Sequence, residues 1–189
     1  MLIHNTVNTY FCSCTYVLTV DDFSWLVDCG DVEPILSLIK GKNLIGVLLT
    51  HAHFDHIYGL NELLKLFPNT LVYTNECGTE TLLDARKNMS LYHETPFVLE
   101  RPDNIRIVND GDEIELSYGL KAIVKATPGH HPSCLTYIIG DAIFTGDSYI
   151  PGTKVVTILP KGNKAQAQQS VEIILALRQG KIIYPGHKI

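Results

Sequence analysis

The hydrophobic positions of this chain change period repeatedly, and the changes mark out its elements. Tyr10 to Thr19 and Ser24 to Asp28 are aromatic or β-branched runs separated by Asp21-Asp22, which predicts a hairpin near the N-terminus. Asp31 then reads as the cap of a short helix reaching Lys40. Asn43 to Leu49 is an apolar run of strand length that delivers the chain into Thr50-His51. From Ile57 to Phe67 the apolar residues Ile57, Leu60, Leu63, Leu64 and Phe67 recur at helical spacing until Pro68 stops them. A strand at Leu71 to Thr74 and a helix at Glu76 to Asn88 follow, whereas Met89 to Asp103 has no period and contains the breakers Pro96 and Pro102.

The second half repeats the rhythm. Strands are predicted near Ile105 to Val108, Ile114 to Leu116, Leu120 to Ala126, Leu135 to Ile139 and Ala142 to Thr145, then a helix from Ala165 to Arg178 and a strand at Ile182 to Tyr184. Two strand-rich stretches, each ending in helix, imply an α/β fold with two sheets faced by helices. No low-complexity segment or linker separates them, so residues 1–189 are expected to form a single domain. The 46% hydrophobic and 19% charged composition of the 189-residue chain supplies an ordinary core.

A net charge of -5 gives no general reason to expect a polyanionic partner, so nucleic acid is an unfavoured substrate. Lys154, Lys161 and Lys164 form a local basic stretch that suits one carboxylate or phosphate, or simply solvent. The N-terminus lacks the pattern of a secretory signal and no apolar run approaches the ~18 residues of a membrane span. A cytoplasmic protein with no membrane partner is expected. Five scattered cysteines (Cys12, Cys14, Cys29, Cys77, Cys134) suit reduced thiols. Alternation puts Cys12 and Cys14 on one buried sheet face, as packing groups rather than reactive ones.

The chemistry concentrates in His51-Ala52-His53-Phe54-Asp55-His56. In an extended segment leaving a strand, His51 and His53 lie on one side and can share an ion, while Asp55 and His56 at the turn into the helix can reach a second. Imidazole and carboxylate donors suit zinc or iron and accommodate manganese. Without cysteine in the set, the site is expected to be open and reactive rather than a closed structural zinc site. A histidine-rich surface loop is the alternative, disfavoured because the run follows a buried strand and opens a helix.

Five motifs in order carry a resemblance across most of the chain: Val27-Asp28-Cys29-Gly30, Thr50 to His56, Thr127-Pro128-Gly129-His130, Phe144-Thr145-Gly146-Asp147-Ser148 and Tyr184-Pro185-Gly186-His187. The sequence resembles the metallo-β-lactamase superfamily, and within it the small glyoxalase-II-like hydrolases. That resemblance implies a four-layer αββα sandwich with two divalent metal ions at one edge of the facing sheets. His51, His53 and His130 would hold the first ion, Asp55, His56 and His187 the second, and Asp147 would bridge them. Asp28 reads as a buried carboxylate supporting the histidine loop by hydrogen bonds, or as a turn residue before Gly30.

Such a pair of ions, ~3.5 to 4 Å apart, generates a bridging hydroxide, with Asp55 managing its proton. The resemblance makes a thioester or other small ester-like molecule the expected substrate, and zinc the expected metal. Lactones and phosphodiesters are further hydrolytic possibilities. A mononuclear iron sulfur dioxygenase is the rival enzyme, and a non-catalytic binding protein is disfavoured because all seven expected ligands are present. The diiron flavoprotein branch typically has Glu where this chain has His53, and a secreted β-lactamase would need a signal peptide. The chain departs from glyoxalase II in two places. No helical domain of the kind that helps hold glutathione is expected after His187, and the chain reads His130-His131-Pro132-Ser133 where small residues are usual. His131 is expected to be an exposed second histidine and a candidate substrate contact. Tyr149, Lys154 and Lys161, in the stretch leaving Asp147, are the other candidate contacts, with Tyr92 and His93 on a second possible wall. Nothing in the pattern indicates an oligomeric state.

Overall fold

The structure, a computed structural model, describes residues 1–188. Eleven strands and five α-helices are assigned among them. The first sheet holds β1 (Leu2–Val7), β2 (Cys14–Val20), β3 (Phe23–Val27), β4 (Asn43–Leu48), β5 (Leu71–Thr74) and β6 (Ile105–Ile107) in that spatial order. Its first three strands are antiparallel neighbours, and from β3 to β6 the pairing is parallel. Parallel pairing requires crossovers, and they are made by α1 (Val32–Leu38), by α2 (Phe54–Ile57) with α3 (Leu60–Leu66), and by α4 (Glu76–Leu82) with the loop after it. The second sheet runs β11-β10-β9-β8-β7, built from β7 (Glu113–Ser117), β8 (Leu120–Ala126), β9 (Leu135–Ile139), β10 (Ala142–Gly146) and β11 (Ile182–Pro185), with α5 (Lys164–Leu177) crossing between β10 and β11.

Alternation along the central strands sends their side chains to two different cores. Trp25, Val27 and Leu48 join Tyr137 and Phe144 between the sheets, while Leu26, Val47 and Val72 pack on the other face against Ile35, Leu60, Leu63 and Leu64 of the helices. This is the expected αββα sandwich. Polar groups inside the inter-sheet core are paired across it: Trp25 Nε1 donates to Leu116 O at 3.0 Å and Tyr137 Oη to Leu49 O at 2.9 Å. Among the described residues no helix is long and apolar enough to cross a membrane. All five cysteines are free.

Several local readings change. Leu2–Val7 forms an edge strand that lacks an alternating buried face and so left no periodic signal. Tyr10 to Cys12 is a turn, with Phe11 and Cys12 at left-handed φ of 54°, so β2 starts only at Cys14. Cys12 is therefore exposed and Cys14 buried, not two thiols on one face. Asp31 stands at the N-cap of α1 but makes no side-chain cap; its carboxylate accepts from Thr9 N, Thr9 Oγ1 and Tyr58 Oη instead. Burial alone would raise its pKa, but those donors outweigh burial and lower it. Finally, α4 stops at Leu82 because Asp84 Oδ1 captures the N–H groups of Arg86 and Lys87, offering the backbone an alternative to the helix.

The helix predicted from Ile57 to Phe67 is instead broken into α2 and α3 at Gly59. A Cβ there would strike the Gly30 carbonyl and the Val32 side chain. Alanine favours a helix over glycine by only ~1 kcal/mol, whereas overpacking costs about 1–3 kcal/mol. Gly59→Ala is accordingly expected to lower stability in denaturant unfolding; a gain would show that the Gly30 contact relaxes freely.

Candidate metal centre

The carboxyl ends of five strands meet at one edge of the sandwich. β3 ends at Asp28, β4 leads into Thr50-His51-Ala52-His53, β8 leads through Thr127-Pro128-Gly129 to His130, β10 ends beside Asp147, and β11 leads to Gly186-His187. α2 begins inside the histidine run, with His53 at its N-cap, and so turns Asp55 and His56 inward. Two glycines permit the convergence. Gly146 has φ +50°, and a Cβ on it would strike Thr50; a Cβ on Gly186 would strike the Asp147 carboxylate.

Ligating atoms fall into three overlapping groups, each within 4.8 Å: His51, His53 and His130; His51, His56 and Asp147; Asp55, His56 and His187. His53 Nδ1 lies 2.9 Å from His130 Nε2, and His56 Nε2 lies 3.4 Å from both His187 Nε2 and Asp55 Oδ2. Asp147 stands between the groups. Its Oδ2 is 3.5 Å from His130 Nε2 and 3.3 Å from His187 Nε2, and its Oδ1 is 3.6 Å from His56 Nε2.

Three of the imidazoles donate to an acceptor behind them. His56 Nδ1 donates to Asp28 Oδ2 at 2.8 Å, His130 Nδ1 to Val156 O at 2.8 Å and His187 Nδ1 to Phe11 O at 2.9 Å. These bonds keep a proton on Nδ1 and turn Nε2 toward the cluster. Asp28, buried and at φ 60°, also accepts from Thr50 N and Thr50 Oγ1, each at 2.7 Å. The Thr50 hydroxyl spends its proton on Asp28, so its lone pair faces His51 Nδ1 at 3.2 Å. One carboxylate thereby contacts His56 directly and His51 through Thr50.

The residues fit divalent cations. His51 Nε2 and Asp147 Oδ1 are sealed from solvent without a hydrogen-bond partner among the described residues, an arrangement that costs free energy unless something electrophilic meets them. Two nitrogens on one tetrahedral zinc ion at ~2.0–2.1 Å are roughly 3.3 Å apart, close to the separations here. Burial and then the neighbouring imidazoles hold His51 and His53 well below the usual histidine pKa, so both offer lone pairs. Burial opposes charge on His56 too, but the carboxylates of Asp55, Asp28 and Asp147 outweigh it and push the group up to about 10. Burial likewise disfavours charge on Asp147, yet His187, His56 and His130 hold it well below the carboxylate range. Three carboxylates, Asp28, Asp55 and Asp147, stand among the imidazoles, a donor set that suits divalent cations.

Asp55, Asp147 and His187 keep 13%, 13% and 21% of their side-chain surface exposed, so the cluster opens to solvent over them. The predicted contacts scatter more. His131 is buried, 2% exposed, because its ring packs edge-on against His53 with centroids 4.9 Å apart, contrary to the expected surface position. Its burial, with the charges of Lys161 and His130, lowers it to about 4. Lys154 and Lys161 are exposed and Tyr149 half-buried. Tyr92 is 95% exposed, while His93 stacks on Phe54. The stretch after Asp147 reaches the cluster through its main chain, since its Val156 carbonyl accepts from His130 Nδ1. Val156 and Phe11 escaped sequence reading because they act through main-chain oxygens, which any residue possesses; the Thr50 hydroxyl, beside His51, was the available clue.

Residues 7–187 match the profile described as the Metallo-beta-lactamase superfamily. The chain belongs to that superfamily. It is 32% identical over 178 residues to a probable metallo-hydrolase, YqgX, of Bacillus subtilis, covering 91% of this chain and 83% of that protein. It is 31% identical over 165 residues to a hydroxyacylglutathione hydrolase of Citrobacter koseri, covering 86% of this chain but 56% of the relative. The chain thus spans little more than half the length of that hydrolase, and 62% of a second one from Photobacterium profundum. The fold is shared with the BLEG-1 B3 metallo-beta-lactamase (TM-score 0.89, 24% identity, 100% of this chain and 92% of that one). It is shared also with TTHA1623 in a di-iron-bound form (TM-score 0.83, 22% identity, 98% and 92%). Within the metallo-β-lactamase superfamily, then, this chain keeps the metal-binding edge as a histidine and aspartate cluster.

Proposed function

We propose that the protein is a two-ion hydrolase acting on a small thioester or related ester. The observation that carries this reading is the position of Asp147, whose Oδ2 lies within 3.5 Å of a nitrogen from each of two histidine groups. His51, His53 and His130 would hold one ion, Asp55, His56 and His187 the other, with Asp147 shared. Zinc is our first expectation for this donor set, with iron and manganese also compatible. When bound, the ions acidify a water and polarise the scissile carbonyl.

The protein supplies the rest. Asp28, Thr50, Val156 and Phe11 keep the imidazoles oriented, so little reorganisation accompanies the reaction. Asp55 offers Oδ2 to the cluster, 3.4 Å from both His56 and His187, and its Oδ1 has no hydrogen-bond partner among the described residues. That free oxygen takes the proton of the attacking water and returns it to the leaving thiolate or alkoxide. The free thiols suit the reducing cytoplasm.

Metal analysis of the purified protein, with assays on thioesters, lactones, β-lactams and phosphodiesters, tests the proposal. Two ions per chain and chelator-sensitive thioester hydrolysis are expected. One iron per chain, with oxygen uptake on a persulfide and no hydrolysis, would establish the dioxygenase instead. Asp55→Asn should retain both ions and lose about 10² to 10⁴ in kcat, the range for a positioned proton-transfer group.

A further inference from the structure

His131 is explained neither by the metal cluster nor by the core. Its Nδ1 receives the Ser133 backbone N–H at 3.2 Å and lies 2.7 Å from Ser133 Oγ. Ser133 Oγ already accepts the Ala52 N–H at 3.2 Å, leaving its own proton for Nδ1. Two donors aimed at Nδ1 require a lone pair there, so the imidazole carries its proton on Nε2. That Nε2–H has no partner among the described residues, and although the residue is 2% exposed, the atom is not sealed from solvent. A buried ring with a fixed tautomer thus presents one unmatched donor beside the metal ligand His53.

A cation converges on the same place. Asn75 Nδ2, at the N-cap of α4, donates to Pro132 O at 3.2 Å, and Lys161 Nζ reaches Cys77 Sγ in the first turn of that helix at 4.0 Å. Lys161 sits at φ 65° between Pro160 and Gly162, a backbone position that lysine adopts only under local constraint. It makes no ion pair among the described residues. Glu80, the carboxylate on the same side of α4, is held by Lys87 at 2.9 Å.

Next to Lys161 lies a cavity of about 490 Å³ lined by Arg86, Met89, Leu91, Tyr92 and Pro160. Both of its walls are tied to the metal-binding segments. The Asn88 carbonyl, before the first wall, accepts the Phe54 N–H of the histidine run at 2.9 Å, and Val156, before the second, holds His130. The cavity is lined mainly by apolar side chains with Arg86 among them, and the segments that line it are hydrogen-bonded to Phe54 and His130 of the cluster.

We propose that His131 Nε2–H and Lys161 Nζ form a carboxylate subsite, so that the substrate is a thioester bearing a free carboxylate, with its apolar part in the Arg86–Tyr92–Pro160 cavity. One neutral donor and one cation match a single negative charge. The substrate assignment rests on the hydrolase reading above; the subsite itself does not.

Two substrate pairs test it on the metal-loaded enzyme: the acetyl thioester of 3-mercaptopropionate against that of its amide, and a glutaryl half-thioester against its monoamide. A charge-assisted hydrogen bond contributes ~1.5–3 kcal/mol, so kcat/KM should favour the carboxylate of at least one pair roughly tenfold or more, mainly through KM. His131→Phe, which keeps a ring against His53, and Lys161→Met, which keeps the stem on an exposed residue, should each bring that ratio to about threefold or less. In a nitrogen-resolved NMR spectrum His131 should carry its proton on Nε2, and glutarate should shift that resonance in the wild type but not in Lys161→Met. Thioester turnover indifferent to the carboxylate overturns the subsite and leaves the hydrolase reading standing. Absence of all thioester turnover removes the hydrolase reading, and the glutarate shift then decides the subsite alone. A proton on Nδ1, or no glutarate response, overturns it.

Discussion

Asp147→Ala is expected to bind no more than one divalent ion per chain and to lose about a thousandfold or more in kcat/KM. The loss exceeds that of a peripheral ligand because, among the described residues, Asp147 is the only carboxylate lying within reach of both histidine groups, 3.5 Å from His130 and 3.3 Å from His187. Removing it leaves the lone pairs of His130 and His187 opposite empty space and takes away one negative charge that two cations require. The comparison scale is the loss of a single preorganised transition-state donor, about 10² to 10³, to which the loss of an ion is added. Asp147→Asn separates charge from shape: it retains one oxygen and the side-chain volume, and should keep the first ion more firmly than the alanine variant. Metal stoichiometry by elemental analysis, measured beside kcat/KM, reads both effects. Two ions and wild-type turnover in Asp147→Ala would end the shared-ligand assignment.

The sequence made most of the strand plan legible because buried strands and amphipathic helices impose different periods, and Asn43 to Leu49 or Leu60 to Leu64 follow them closely. The ligand-bearing turns were legible for a different reason. Histidine and aspartate placed after Pro-Gly or Thr-Gly pairs at strand ends have few structural explanations, and the structure brings all seven into overlapping groups within 4.8 Å. What stayed hidden had no periodic or compositional trace. β1 is an edge strand without a buried face, and the break at Gly59 answers a backbone carbonyl 29 residues earlier in the chain. His131 was misplaced because a histidine beside a ligand reads as surface; only the fold shows its ring closed against His53.

The same distinction separates the metal cluster from its supports. Side-chain ligands announce themselves, but the carbonyls of Phe11 and Val156 orient His187 and His130 from loops whose residue types say nothing about that task. Asp28 lies between these cases. Its identity was readable, and its position explains why no other residue serves. A left-handed φ of 60° is tolerated by aspartate and asparagine better than by most residues, and it turns the carboxylate back beneath Thr50 and His56.

Asp28 therefore yields the second large effect. Oδ1 accepts the Thr50 N–H, and Oδ2 accepts both the Thr50 hydroxyl and His56 Nδ1–H. Asparagine can satisfy one side of this arrangement but would point an NH₂ group at donors on the other. Asp28→Asn is expected to fold while weakening affinity for the ion held by His56 about 10- to 100-fold, the usual cost of losing a partner behind a ligand. Asp28→Ala should also unfold more readily, by about 3–5 kcal/mol, because it strands a buried imidazole among the remaining carboxylates and places a Cβ-bearing residue without a compensating hydrogen bond at positive φ. Chelator competition measures the first effect and denaturant unfolding the second. If Asp28→Asn binds both ions as tightly as the wild type, the histidine run is rigid without its carboxylate, and the Thr50 to His51 relay has no part in holding the cluster.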